Sequence, residues 1–239
     1  MKLTLFILLV FSFNLIQTIG AFAGTMLAMP FAILLLGPEQ ARLILTAVGI
    51  LSCIYPVLSC RSFIDWKEVR KIGIYMAAGI LAAQFLLKYL YGTAILTVYG
   101  LLVIGVTLRN FRQTNPRQLP SWLDNLILLM AGLIHGAFLS GGSFLLIYAI
   151  EHFAKKDVQR STLSVLWLIL NGGMVVLFTA QGLYCRENLH YVWVGVIPAI
   201  LGILLGDCLQ KKLDETLFRK FSNCLLFLSG SVLVIKCFL

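Results

Sequence analysis

The stretch Asn125–Ile150, NLILLMAGLIHGAFLSGGSFLLIYAI, decides how this chain folds. It contains no Asp, Glu, Lys or Arg, and as one helix it would be about 39 Å long, more than the roughly 30 Å hydrocarbon core of a bilayer. A run that long is a membrane segment, and one that overshoots the bilayer has to bend or break. Ser140-Gly141-Gly142-Ser143 supplies the weak point, since glycine and serine hold a helix less well than the apolar residues around them. The later piece, Phe144–Phe153, is then about 15 Å of helix and reaches only half-way across.

Outward from this stretch the same texture continues. Uncharged runs cover Leu3–Pro38, Leu43–Cys60, Ile72–Leu87, Tyr89–Leu108, Ser161–Cys185, Asn188–Gly206 and Phe221–Ile235, which with the first makes about eight hydrophobic segments of bilayer-spanning order. The chain is 60% hydrophobic and 12% charged, against about 25% charged residues in soluble domains. These features predict an all-α polytopic membrane protein and exclude a water-soluble globule. Lys and Arg outnumber Asp and Glu by 19 to 10, but they stand singly or in pairs between apolar runs and are not interleaved with aromatics. They read as loop charges that set topology, not as a nucleic-acid surface. The six cysteines form no C-x-x-C pair and read as small apolar residues. Ala21-Phe22-Ala23 imitates a signal-peptidase site, yet the uncharged run continues to Pro38, so the segment is expected to be structural.

A polar, proline-containing linker, residues 109–124, divides the chain into a first repeat over 1–108 and a second over 125–239. Gly20–Gly24 and Gly132–Gly136 share the spacing G-x-x-x-G, and Glu39-Gln40-Ala41-Arg42 is answered by Val158-Gln159-Arg160-Ser161. Pro30 is expected to break the first run as the glycines break the second, leaving Phe31–Leu36 as the short piece. Basic residues then choose between two topologies. Four simple spans per half would spread the 19 basic residues almost evenly, ten against nine. If each broken run enters and leaves as a hairpin, the halves are inverted. The face carrying Arg61–Lys71, Arg109–Arg117, Lys155–Arg160 and Lys211–Lys220 then holds all the basic residues except Lys2, Arg42, Lys88, Arg186 and Lys236. The positive-inside rule makes that face cytoplasmic and puts both termini outside the cell membrane.

Broken helices expose unpaired N–H groups and a partial positive charge, which suits an anion. No Lys or Arg lies near the middle of a run, so an anion would be held by backbone groups and small hydroxyls. Ser140, Gly141, Gly142 and Ser143 are the leading candidates, although small residues also let helices pack closely. His135 could relay a proton, donate to an anion or simply pack. Asn171, before Gly172 and Gly173, could line a cavity or bond between helices. Gln17, Gln84 and Gln181 have weaker claims, Asp207 is expected at the interface, and Pro56 and Pro198 are expected to kink their helices. There is no metal-ligand spacing, phosphate loop or nucleophile–base pattern, so neither an enzyme nor a cofactor is expected.

The segment Gly132–Tyr148, followed by Val158-Gln-Arg-Ser-Thr-Leu163 and Asn171, resembles the second half of the TauE/SafE sulfite exporter family, as does Ile64-Asp-Trp-Lys67. The resemblance implies a two-repeat membrane protein that moves sulfur-containing anions such as sulfite, sulfonates or related organic acids. It places Gly136, Gly141 and Gly142 in the glycine-rich signature of the second repeat, and Arg160 with Thr162 in the polar motif after it. The first repeat departs from the pattern, with Gly24-Thr-Met-Leu-Ala-Met-Pro30 where the family has glycines before a proline. Gly24 and Pro30 are therefore the first-repeat positions expected at the site. A secondary transporter of a small anion is the first reading; a membrane assembly or scaffold protein is the second.

Overall fold

The computed structural model describes residues 2–20, 24–59, 61–86, 93–112, 120–153 and 155–210, with isolated positions between 224 and 235. Every described element is helical: α1 Lys2–Gly20, α2 Gly24–Leu36, α3 Pro38–Ser59, a 3-10 turn at Arg61–Phe63, α4 Trp66–Leu86, α5 Thr93–Arg112, α6 Ser121–Phe138, α7 Gly142–His152, α8 Lys156–Ala180 and α9 Arg186–Gln210. Six of them, α1, α3, α4, α6, α8 and α9, are long and apolar enough to cross a membrane. The run Phe221–Ile235 falls largely outside the described residues.

The outer surface is that of a body immersed in hydrocarbon. Val176, Trp193 and Ile197 stand about 70% exposed, and Ile74, Leu81 and Phe85 more than 60%. An isolated leucine or tryptophan at a water-facing surface is ordinary, but whole helix faces of them are not. The core contains Phe6, Phe13, Met29, Met76, Tyr99, Tyr148 and Phe178.

Two helix pairs run parallel along seams of small residues. In the first, a Cβ on Gly202 would lie 2.4 Å from the Phe11 carbonyl oxygen, and one on Gly206 would lie 2.8 Å from that of Leu15, so α9 and α1 advance together. In the second, a Cβ on Gly132 would lie 2.2 Å from the Met76 carbonyl oxygen, and one on Gly136 2.9 Å from Ile80 Cα, so α6 advances with α4. Backbone-to-backbone approach of this kind is how helices associate where water supplies no hydrophobic drive.

Contacts at the helix ends sort the elements onto two faces. On one, Gln40 at the start of α3 donates to Glu187 at the start of α9 at 3.4 Å, and Tyr184 before α9 donates to the Leu43 carbonyl at 3.0 Å. On the other, the Asp65 N–H donates to the Thr162 hydroxyl at 3.0 Å, joining the starts of α4 and α8, and Asp124 of α6 meets His152 of α7 at 3.3 Å. Helices α1 and α2 therefore form a hairpin entered from the first face, and α6 and α7 one entered from the second. The short arms, α2 of 13 residues and α7 of 11, are about 20 and 16 Å long and do not cross.

Two expectations are corrected. Pro30 does not break the first run: it lies buried inside α2, and the helix starts at Gly24, not Phe31. Its missing N–H leaves one carbonyl of the preceding turn without its intrahelical bond, a loss that packing on both sides tolerates within a membrane protein. The two G-x-x-x-G pairs are not equivalent either, since Gly24 opens α2 whereas Gly132 and Gly136 both lie within α6. Both ends of the 109–124 stretch are helical. Helix α5 runs to Arg112, Pro120 is the N-cap of α6, and Asp124 is buried in the first turn of that helix.

Candidate functional site

The turn between α6 and α7 is built from Leu139, Ser140 and Gly141. Leu139 closes α6 in the left-handed region at φ 54°, its N–H bonded to the His135 carbonyl at 2.8 Å. A side-chain-bearing residue pays about 1–2 kcal/mol for that conformation, so the surroundings must fix it. Ser140, fully buried, does so: its hydroxyl bonds that of Tyr99 on α5 and donates to the Phe138 carbonyl at 3.0 Å, while the Tyr99 and Phe138 rings stack at 4.1 Å. Gly141 is pressed against α6, where a Cβ would lie 2.2 Å from the Ala131 carbonyl oxygen and 2.7 Å from His135 Cβ.

Helix α7 opens at Gly142 with no side chain bonded across its N-cap, so its first-turn N–H groups have no intrahelical partners. At the corresponding start of α2, the Gln17 side-chain oxygen accepts from the Gly24 N–H at 2.9 Å. The first hairpin thus closes its helix start with a side chain from its own long arm, whereas the N-cap of α7 is a glycine with no side chain to do so. The Ser143 side chain lies outside the described residues.

His135 stands next to this opening. Its Nε2 bonds Asn171 Oδ1 at 2.9 Å, its ring lies 4.7 Å from that of Trp167, and it is only 2% exposed. The acceptor at Asn171 places the proton of the neutral ring on Nε2. His135 Nδ1 and Trp167 Nε1 are both buried without a hydrogen-bond partner, where most buried polar atoms have one.

The structure also adds a cation that sequence reasoning did not place here. Arg42 is 7% exposed, donates to the Gly136 carbonyl at 3.2 Å and lies over the Phe178 ring at 5.1 Å. Gln84 donates to the same carbonyl at 3.1 Å. In a matching position Arg160 donates to the Thr18 carbonyl at 3.4 Å. Each arginine starts a spanning helix and reaches the carbonyl end of the opposite hairpin's long arm, where the helix dipole favours positive charge. The paired Arg42 and Arg160 in the sequence were the available signal.

Of the expected site residues, His135, Gly136, Ser140, Gly141, Gly142 and Asn171 meet around one hairpin tip. Gly24 belongs to the other tip, and Pro30 lies further along α2. Gly136 serves through its carbonyl and its close fit to α4. Gln181 caps α8 at the surface. Among the described residues, no group of three or more His, Cys, Asp or Glu is placed to hold a metal ion.

The sequence model of the family described as Sulfite exporter TauE/SafE matches residues 5–233. The chain belongs to the TauE/SafE family. No curated protein and no solved structure matches it. TauE/SafE proteins are membrane transporters, which makes this chain a multi-pass membrane protein of a transport family with a small anionic substrate, and fits the expectation of a non-enzyme.

Proposed function

We propose that this chain is a secondary transporter of a small anion, with sulfite, sulfonates and related organic acids as its candidate substrates, and that the anion binds at the tip of the α6–α7 hairpin. The observation that carries the reading is the start of α7, whose N-cap Gly141 has no side chain, beside the buried, unpartnered indole N–H of Trp167. Helix N–H groups and an indole N–H all donate, as an oxyanion requires. Gly141 and Gly142 admit the ligand close to the backbone, and Ser140 and Asn171 hold the walls. With those residues buried, the site is in a closed state, and transport requires the hairpin to move.

The two halves support alternating access as inverted repeats. One offset, 118 residues (142 minus 24), relates Gly24 to Gly142, Gln17 to His135 and Arg42 to Arg160, and the hairpins enter from opposite faces. Among the described residues the face holding the starts of α4, α6 and α8 carries all the basic residues except Lys2, Arg42 and Arg186, so the positive-inside rule makes it cytoplasmic, in the cell membrane, with both termini outside.

The test is counterflow of labelled sulfite, thiosulfate and small sulfonates in proteoliposomes. Wild-type protein is expected to give saturable exchange, and Gly142→Leu to lose it while still inserting and running as a monodisperse protein. Full exchange by that variant would exclude the hairpin tip as the site.

A further inference from the structure

The far end of α7 carries a second polar cluster, which the anion site does not use. His152, in the last turn, directs Nδ1 to the Tyr148 carbonyl at 3.0 Å and Nε2 to Asp124 Oδ2 on α6 at 3.3 Å. Tyr148 stacks on the His152 ring at 3.8 Å and donates its hydroxyl to Glu68 of α4 at 2.6 Å, while Lys71 of α4 donates to that hydroxyl at 2.9 Å. The charged groups facing the pair are thus Asp124 from α6 and Glu68 and Lys71 from α4, with Asp65 just ahead of α4.

The geometry fixes a proton count. A backbone carbonyl can only accept, so Nδ1 carries a hydrogen. In a neutral imidazole Nε2 is then a bare lone pair, and it faces a carboxylate oxygen. Two lone pairs at that distance repel. The contact is attractive when the pair shares one further proton, either as imidazolium and carboxylate or as imidazole and carboxylic acid. Asp124 is 4% exposed and its other oxygen, Oδ1, has no hydrogen-bond partner, so without that proton its charge would be buried at high cost. The His152 side chain is 29% exposed, which gives the proton a way in and out.

We infer that the His152–Asp124 pair is a proton-binding site that fastens the α7 arm when occupied and releases it when empty, and that this proton is the one coupled to anion movement. The coupling part rests on the transport reading above. Helix α7 carries the open N-terminus at one end and this pair at the other, so protonation at the face and anion binding at the tip act on the same rigid helix of 11 residues. No other described contact joins the end of α7 to α6 through a titratable pair.

Asp124→Asn separates the two claims. An asparagine amide donates to Nε2 without exchanging a proton, so the latch stays closed and cannot be charged or emptied. Counterflow, which never needs the unloaded carrier to lose its proton, is expected to persist in this variant. Accumulation driven by a pH gradient is expected to fall to the level seen without a gradient. Should Asp124→Asn also lose counterflow, His152→Gln, at the more exposed partner, is measured with the same expectations. Independently of any substrate, amide exchange of α7, corrected for its intrinsic pH dependence, is expected to quicken in the wild type as rising pH empties the pair and to stay flat in the variant. Gradient-driven accumulation that survives in both variants overturns the coupling; identical α7 exchange profiles in wild type and variant overturn the latch. Absence of exchange with every anion, alongside the expected α7 profiles, would sink the transport reading and leave the proton latch standing.

Discussion

A single methyl group reports how α4 and α6 meet. At Gly132 it would fall 2.2 Å from the Met76 carbonyl oxygen, whereas at Gly173 it would meet nothing within 4 Å. Gly132→Ala is therefore expected to force the two helices apart and cost about 1–3 kcal/mol. Gly173→Ala, in an exposed helical position, should be neutral or gain up to about 1 kcal/mol. Thermal unfolding in detergent compares the two, and equal melting temperatures would contradict the seam. The sequence could not have told these glycines apart. A spacing of four fits one face of a continuous helix as well as it fits a hinge, and Gly20–Gly24 and Gly132–Gly136 were matched on spacing alone. Arg42 was illegible for a related reason: an arginine flanking an apolar run reads as a loop charge, and only the fold shows that its side chain turns inward to Gly136.

At the level of elements, uncharged runs located the spanning helices, because charge is what a bilayer refuses. The short arms were less legible. Pro30 looked like the end of a helix since its ring opposes helical geometry before it, but α2 lasts only 13 residues and is gripped by α1 and α3, so tertiary packing overrides the local preference. The α8–α9 turn gives an element-scale prediction. Tyr184 donates to the Leu43 carbonyl, and burial pushes its phenol up to about 12. The folded state holds this proton more tightly than the unfolded chain, whose tyrosines titrate near 10. The stabilisation is complete below about pH 10 and is lost as pH rises toward 12. Tyr184→Phe should therefore weaken the fall in stability over that alkaline window, measured by detergent-state unfolding at stepped pH; an unchanged alkaline limb would argue against the contact.

For the whole molecule, the proposed orientation rests on the positive-inside reading of the basic residues. Protease or antibody access to tags on both termini of intact cells should find both outside; two cytoplasmic termini would refute the inverted arrangement. Membrane class and helical plan were legible because they depend on composition over long windows. The hairpin tip was legible only in part, since Ser140-Gly-Gly-Ser143 named the place but not Trp167 or Tyr99, which reach it from elsewhere in the chain.

The glycine seams also impose an order on biosynthesis. Helix α6 follows α4 closely in the chain, so that seam can close soon after both helices leave the ribosome. Helix α1 must wait for α9, roughly 180 residues later, or about 10–40 s at ordinary rates of synthesis. During that interval the face of α1 that will receive Gly202 and Gly206 has only lipid or the insertion machinery against it. A nascent chain released before α9 would leave its first helix without a partner, an orphan that membrane quality control can recognise.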